Sequence, residues 1–211
     1  MILHGYFRSA AAFRVRIALN LKGVEADHVF HHLRQGEQYA PNYLALNPQC
    51  LVPTLEIGDE TLTQSLAIIE YLDETLPSPP LLPKDPIGRA RVRSLAQMVA
   101  CDIHPIDNLR VLNYLRKPLG HSDAEVDAWY NHWAGMGLAA IEMRLADGKT
   151  GRFCHGDTPG LADICLIPQV ANAGRFGLDL ASFVRIRAIY AAAMDLPAFA
   201  KASPSAQPDA E

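Results

Sequence analysis

The sequence predicts an α/β N-terminal domain joined through a proline-rich segment to an all-α C-terminal domain. Three observations lead there. Short apolar runs and amphipathic stretches alternate as βαβ and then ββα over about the first 75 residues, an order that packs as a small mixed sheet with helices on its faces. Leu76-Pro77-Ser78-Pro79-Pro80-Leu81-Leu82-Pro83 then puts four prolines in eight residues, which suits neither a helix nor a central strand. Beyond it, apolar positions recur at helical spacing. The boundaries fall at residues 1–78 for the first domain, 79–86 for the linker, and 87–211 for a helical domain with a disordered tail.

The elements follow in order. Ile2 to Phe7 is a short apolar strand running into Ser9, where an alanine-rich helix begins and continues to about residue 22, before Gly23. Ala26 to His32 reads as a second strand. Gln35 to Leu46, broken by Gly36 and Pro41, reads as a loop with a little helix, and Asn47-Pro48 as a turn. Thr54–Ile57 and Thr61–Thr63 flank Gly58-Asp59-Glu60 as a short hairpin. Ser65 to Glu74 turns Leu66, Ile68, Ile69 and Leu72 inward as a helix. In the second half, residues 87–104 form a helix that Pro105 kinks, with the pattern resuming at Ile106, Leu109, Leu112 and Leu115. Ser122-Asp123-Ala124-Glu125 is a capping box opening a long helix that Gly148 closes. Residues 160–173 are apolar nearly all round and form the buried centre of this half; 183–194 is a further helix. Ser203 to Glu211 is small, polar and proline-containing, and is expected to be disordered.

Composition narrows the function. With 49% hydrophobic and 20% charged residues and a net charge of −4, the 211-residue chain offers no basic surface for nucleic acid. Cys50, Cys101, Cys154 and Cys165 have no zinc-like spacing, and a disulfide framework is unusual at this length, so a reducing cytoplasm is expected. No run approaches the ~20 apolar residues that span a bilayer. No metal site is expected; His31-His32 lacks further ligands at useful spacing.

Several residues could hold an anion or a peptide. Ser9, taken alone, reads as an N-cap; its other reading is a hydroxyl at a helix start beside Arg8, Arg14 and Arg16, a place for a small anion. Gln64-Ser65 opens another helix and has the same two readings. Between them, Val52-Pro53 stands directly before a strand. Proline there lacks an N–H the ladder does not need, but a cis bond would turn Val52's backbone toward an extended peptide. His104, Pro105, Asp107, Asn108 and Arg110 cluster at the expected kink, where solvent exposure is the plainer account. Asp163 is expected to cap its helix near Gly160, and Arg175 to complement the dipole at its end.

Taken together, Ser9–Leu19 with its R-V-R-I-A-L core, A-L-N-P at 45–48, V-P-T-L at 52–55, Q-S-L-A-I-I-E-Y-L at 64–72, L-L-P at 81–83, D-I-H-P at 102–105 and P-Q-V-A-N-A at 168–173 resemble the zeta class of glutathione transferases. The nearest members by motif are maleylacetoacetate and maleylpyruvate isomerases. The resemblance implies a thioredoxin-like first domain, an all-helical second, glutathione as cofactor and a homodimer. It implies that Ser9 faces the glutathione sulfur in a turn that includes Ala11, and that Gln38, Val52, Pro53, Gln64 and Ser65 hold the tripeptide. His104 and Asn108 then approach glutathione from the helical domain, and Asp102 reaches the partner subunit's glutathione. Arg8, Arg110 and Arg175 would meet the carboxylates of a small dicarboxylate keto acid. Two departures stand out: many zeta members read Ser-Ser-Cys where this chain has Ser9-Ala10-Ala11, and Gly160 replaces a frequent Ser or Thr.

The implied activity is a glutathione-dependent cis–trans isomerisation of a maleyl keto acid in aromatic-compound breakdown, with maleylacetoacetate ahead of maleylpyruvate. A thiolate can add to a conjugated cis double bond, permit rotation and leave, with Ser9 donating to sulfur. The alternatives are a transferase acting on small α-halo acids and a non-catalytic glutathione-fold binding protein.

Overall fold

β1 (Ile2–Gly5) lies second in a four-stranded sheet of order β2-β1-β3-β4 in the computed structural model, which describes residues 1–211. It pairs in parallel with β2 (Asp27–Phe30), with Leu3 opposite His28, and antiparallel with β3 (Thr54–Ile57), with Leu3 opposite Leu55. A parallel neighbour requires a crossover, and α1 (Ala10–Lys22) supplies it. Gly58, at φ 59, lets β3 turn tightly into β4 (Glu60–Thr63). α3 (Ser65–Thr75) packs against α1. Small side chains make that close packing possible: Ala12 and Ala18 are fully buried, as are Val15, Ile17, Ile68 and Leu72. Gly23, at φ 65, ends α1 with its N–H directed at Leu19 and Asn20. Between β2 and β3 a short 3₁₀ turn (Glu37–Tyr39) and α2 (Pro41–Leu46) answer the expected loop with a little helix.

The chain divides into two units, residues 1–81 with 194–211, and residues 82–193. In the first, the proline-rich stretch is tied down. The buried Lys22 ammonium donates to Asp73 Oδ1 (2.7 Å), Leu76 O (2.6 Å) and Pro79 O (2.5 Å), and Asp73 Oδ1 also accepts from the Leu81 N–H. The expectation of a disordered tail over 203–211 is corrected here. Residues 204–206 form a 3₁₀ turn, and Gln207 is buried, its Nε2 donating to Lys201 O and Ser203 O at 2.9 Å each. Asp209 accepts from the Phe7 N–H, and the tail belongs with the first unit rather than the helical one. Low hydrophobicity hid this: the tail is held by hydrogen bonds more than by apolar burial.

The second unit is helical. α4 (Pro86–Gln97) is capped by Asp85, whose Oδ1 accepts from the Gly88 N–H at 2.7 Å. It does not run straight to residue 104. A π-helical turn, Met98–Ile103, intervenes before α5 (His104–Asp107). Pro105 has no N–H to give and its ring crowds the preceding turn, and the wider π turn accommodates both. The break falls at Asn108, which caps α6 (Leu109–Arg116). α7 (Asp123–Arg144) opens on the complete Ser122/Glu125 capping box and ends at Arg144, before Gly148. A bidentate ion pair from Arg91 to Asp147 (2.7 and 2.8 Å) anchors the following loop and holds Asp147 at about 2. α8 (Leu161–Arg175) is buried along most of its length and packs on α4; α9 (Val184–Met194) follows.

Candidate active site

β1 ends at Gly5, so Tyr6 and Phe7 are not strand but part of the turn into α1. The Ser9 N–H donates to Tyr6 O (3.0 Å), and the Ser9 hydroxyl accepts from the Ala12 N–H (3.1 Å) as the N-cap. No acidic residue stands in the first turn of α1, so the positive end of the helix has no carboxylate of its own there. Ala10 and Ala11 are buried and offer only their backbones to a ligand. The three arginines flanking Ser9 have different partners. Arg8 lies 4.8 Å over the Phe7 ring and 3.9 Å from the Glu211 carboxylate. Arg14, buried within α1, donates from Nη1 to Ser65 Oγ at 3.3 Å. Arg16 donates to Phe7 O (3.1 Å), Tyr6 O (3.5 Å) and Ala202 O (2.9 Å).

α3 presents a second helix start in the same unit. No side chain caps it and its first turn holds no acid. Gln64 adopts φ 68, an uncommon conformation for a residue with a Cβ, and donates from Nε2 to Gln49 Oε1 at 2.8 Å. Val52-Pro53 is cis. The β1–β3 ladder begins only at Thr54, so Val52 stands outside it. Tyr43 and Asn47 brace this loop: the Tyr43 hydroxyl donates to Leu51 O (2.6 Å), and Asn47 Nδ2 donates to the same oxygen (2.7 Å). Gln38 is buried, and its Oε1 has no hydrogen-bond partner. Two helix starts, a buried guanidinium between them, a backbone segment outside its ladder and an unmatched amide oxygen fit an extended peptide that carries carboxylates.

Sequence reading placed Ser9, Val52, Gln64 and Ser65 in this unit's site, but missed how Arg14 links the two helix starts. A charged residue at a position that must be buried between α1 and α3 was the available signal. It also missed Gln49 and Tyr43, which no local pattern distinguishes. His31, unused as a metal ligand, joins a buried chain: His31 Nε2 lies 2.9 Å from His4 Nδ1, and His4 Nε2 lies 2.7 Å from Glu56 Oε1. Burial, then the neighbouring His4, holds the His31 pKa down.

In the helical unit, Asp102 is exposed on the π turn, His104 is half-buried at the start of α5, and Arg110 is exposed on α6. Asn108 is committed as a cap: its Oδ1 accepts from the N–H groups of Arg110 (3.1 Å) and Val111 (3.3 Å), and its Nδ2 donates to Pro105 O (2.9 Å). Arg175 donates from Nη2 to Asn172 Oδ1 at 2.7 Å and lies 4.4 Å over the Phe176 ring. Asn172 in turn donates to the buried Tyr130 hydroxyl (3.0 Å), as does Gln169 (3.1 Å). Asp163 accepts from the N–H groups of Cys154 (2.8 Å) and Gly160 (2.9 Å), the structural role expected of it.

Residues 1–74 match the family model described as the glutathione S-transferase N-terminal domain. A maleylpyruvate isomerase of Ralstonia sp is 51% identical over 210 residues, 99% of each chain. The holo structure of a maleyl pyruvate isomerase, a bacterial zeta-class glutathione S-transferase, superposes with a TM-score of 0.98 at 50% identity over the whole of both chains. A maleylacetoacetate isomerase from Methylobacterium extorquens AM1, with bound malonate and GSH, gives 0.97 at 46% identity, again over the whole of both chains. At such identity over full length, the chain belongs to the zeta-class glutathione S-transferases of the maleylacetoacetate and maleylpyruvate isomerase family.

Proposed function

We propose that this protein is a glutathione-dependent cis–trans isomerase of a maleyl keto acid, with maleylacetoacetate placed ahead of maleylpyruvate as its substrate. The observation that carries the reading is the pair of uncompensated helix N-termini at Ser9 and Ser65, linked through Arg14, with cis Val52-Pro53 in the same unit. The relatives of known structure that bind GSH and malonate support the same chemistry.

When bound, glutathione supplies a thiolate that adds reversibly to a conjugated double bond and frees it to rotate. The chain's own contribution is to hold and orient. The α3 start, with the Ser65 hydroxyl and Arg14, would receive a glutathione carboxylate, Gln64 and Gln38 would bind its polar groups, and Val52 would pair with its backbone. Pro53 keeps Val52 turned for that pairing. Ser9, at the positive end of α1, would donate its hydroxyl proton to the sulfur. A free thiol has a pKa of about 8.5, and both the dipole and the hydroxyl favour the anion. Because only glutathione's thiol is required, the Ala10-Ala11 departure leaves this chemistry intact. Ala11 contributes its backbone to the turn. Arg110 and Arg175, with Arg8, are assigned to the substrate carboxylates, where the planar guanidinium suits a carboxylate better than lysine would. His104 and Asn108 would approach glutathione from the helical unit, and Asp102 would reach the partner's glutathione in a homodimer. The setting is a cytoplasmic one, and no helix is long and apolar enough to cross a membrane.

The test is isomerisation of maleylacetone with and without glutathione. Turnover is expected only with the thiol present, and turnover without it defeats the reading. Ser9→Ala is expected to lower kcat at neutral pH by about tenfold to a hundredfold, with the pH profile displaced to the alkaline side. Comparing kcat/KM for maleylacetoacetate and maleylpyruvate then assigns the substrate.

A further inference from the structure

The peptide groups of Tyr6 and Phe7 have left the sheet before α1 begins, so their hydrogen bonds must come from elsewhere. The Tyr6 carbonyl accepts from the Ser9 N–H and from Arg16 Nη1. The Phe7 carbonyl accepts from Arg16 Nη2 at 3.1 Å. The Phe7 N–H donates to Asp209 Oδ2 at 2.9 Å. Arg16 is 5% exposed and completes its fork on Ala202 O, at 2.9 Å. The turn that delivers Ser9 is thus held by two side chains, one from α1 and one from the last residues of the chain.

We propose that Asp209 and Arg16 are positioning residues for Ser9: the C-terminal segment 202–209 acts as a strap that sets where the Ser9 hydroxyl points. This deepens the glutathione-isomerase reading and rests on it. Neither side chain is assigned a contact with substrate. Asp209 fixes the peptide two residues before Ser9, and Arg16 fixes the two carbonyls between the strand and the helix. Burial pushes Arg16 down to about 10, with Asp209 as the charge that opposes the shift, so the pair also balance one another electrostatically. A hydroxyl that must meet a sulfur within hydrogen-bond range tolerates little displacement, and an error of about 1 Å in such a site can cost about a hundredfold in rate. The arrangement assigns the tail to the machinery of the turn, although it lies at the far end of the sequence.

The test compares Asp209→Ala with Asp209→Asn in the full chain. Asn retains an oxygen able to accept from the Phe7 N–H and loses only the charge. Two readouts are taken: amide hydrogen exchange over residues 6–12, without ligand, and ultraviolet titration of the thiol of bound glutathione, accompanied by kcat and KM. Asp209→Ala is expected to speed exchange at Phe7 and Ser9, raise the bound-thiol pKa by about half a unit to one unit, and lower kcat about five- to tenfold with KM for the maleyl substrate within about twofold. Asp209→Asn is expected to stay within about twofold of the parent in each. Parent-like exchange and thiol titration in Asp209→Ala overturn the proposal, as does an Asp209→Asn protein as impaired as Asp209→Ala. Faster exchange with an unmoved thiol also overturns it, because the strap would then be structural alone. If the parent itself binds no glutathione, the functional reading fails, while the exchange comparison still decides whether the strap holds the turn.

Discussion

Asp107 is 2% exposed, both of its carboxylate oxygens lack a hydrogen-bond partner, and burial pushes it up to about 7. It also raises the pKa of Tyr130, while Arg175 pulls the other way, which puts the three in one neighbourhood of the helical unit. The folded chain therefore keeps a proton that the unfolded chain releases between about pH 4 and pH 7. Stability from this group is highest in acid, declines as pH rises through that window and is flat above it. Asp107→Asn removes the dependence. Its gain in unfolding free energy should reach about 1–2 kcal/mol at pH 8, allowing for solvent screening, and be clearly smaller at pH 5. Denaturant melts at the two pH values check this, and equal gains at both would count against it. The polar cluster around Pro105 was visible in the sequence, but which member is buried was not. A π turn inserts one extra residue and rotates all that follows by about 100°, so a helical-periodicity reading assigns the faces wrongly past residue 98.

Among the elements, α8 shows what a local pattern reveals and a distant partner conceals. Its N-terminus was readable because Asp163 and the Gly160 N–H it receives are three positions apart, and glycine suffices as the cap residue. The same carboxylate also accepts from the Cys154 N–H, and burial nonetheless raises its pKa. Asp163→Ala leaves two donors unmatched in the interior and should cost about 2–4 kcal/mol. A fall in the chemical-denaturation midpoint with an unchanged slope would register that loss. The start of α1 is the opposite case. Ser9 as a cap follows from its neighbours, whereas Arg16 meets Ala202 across 186 positions and Phe7 meets Asp209 across 202. No period or cap signal reaches that far. Gly137 in α7 has a similar hidden partner: a Cβ there would collide with the Ile103 side chain of the π turn, so only glycine allows that contact.

For the whole chain, composition alone separated an α/β first part from a helical second, and the observed order of strands and helices agrees with it. What composition could not foretell is that the last residues return to the first unit, because a segment poor in apolar side chains can still be held by backbone hydrogen bonds. The proline-rich stretch shows the same principle. It was expected to be a bare connector, yet residues as far as Leu81 are fastened by Lys22 and Asp73. Lys22 can therefore serve as a built-in sensor. Lys84, Lys117, Lys149 and Lys201 are exposed and should react promptly with an amine-acylating reagent, whereas the Lys22 amine is shielded on three sides. Peptide mass spectrometry should find Lys22 acylated at least about a hundredfold more slowly, at a rate that measures how often residues 73–81 lift away. Labelling in step with the surface lysines would mean that this fastening opens freely.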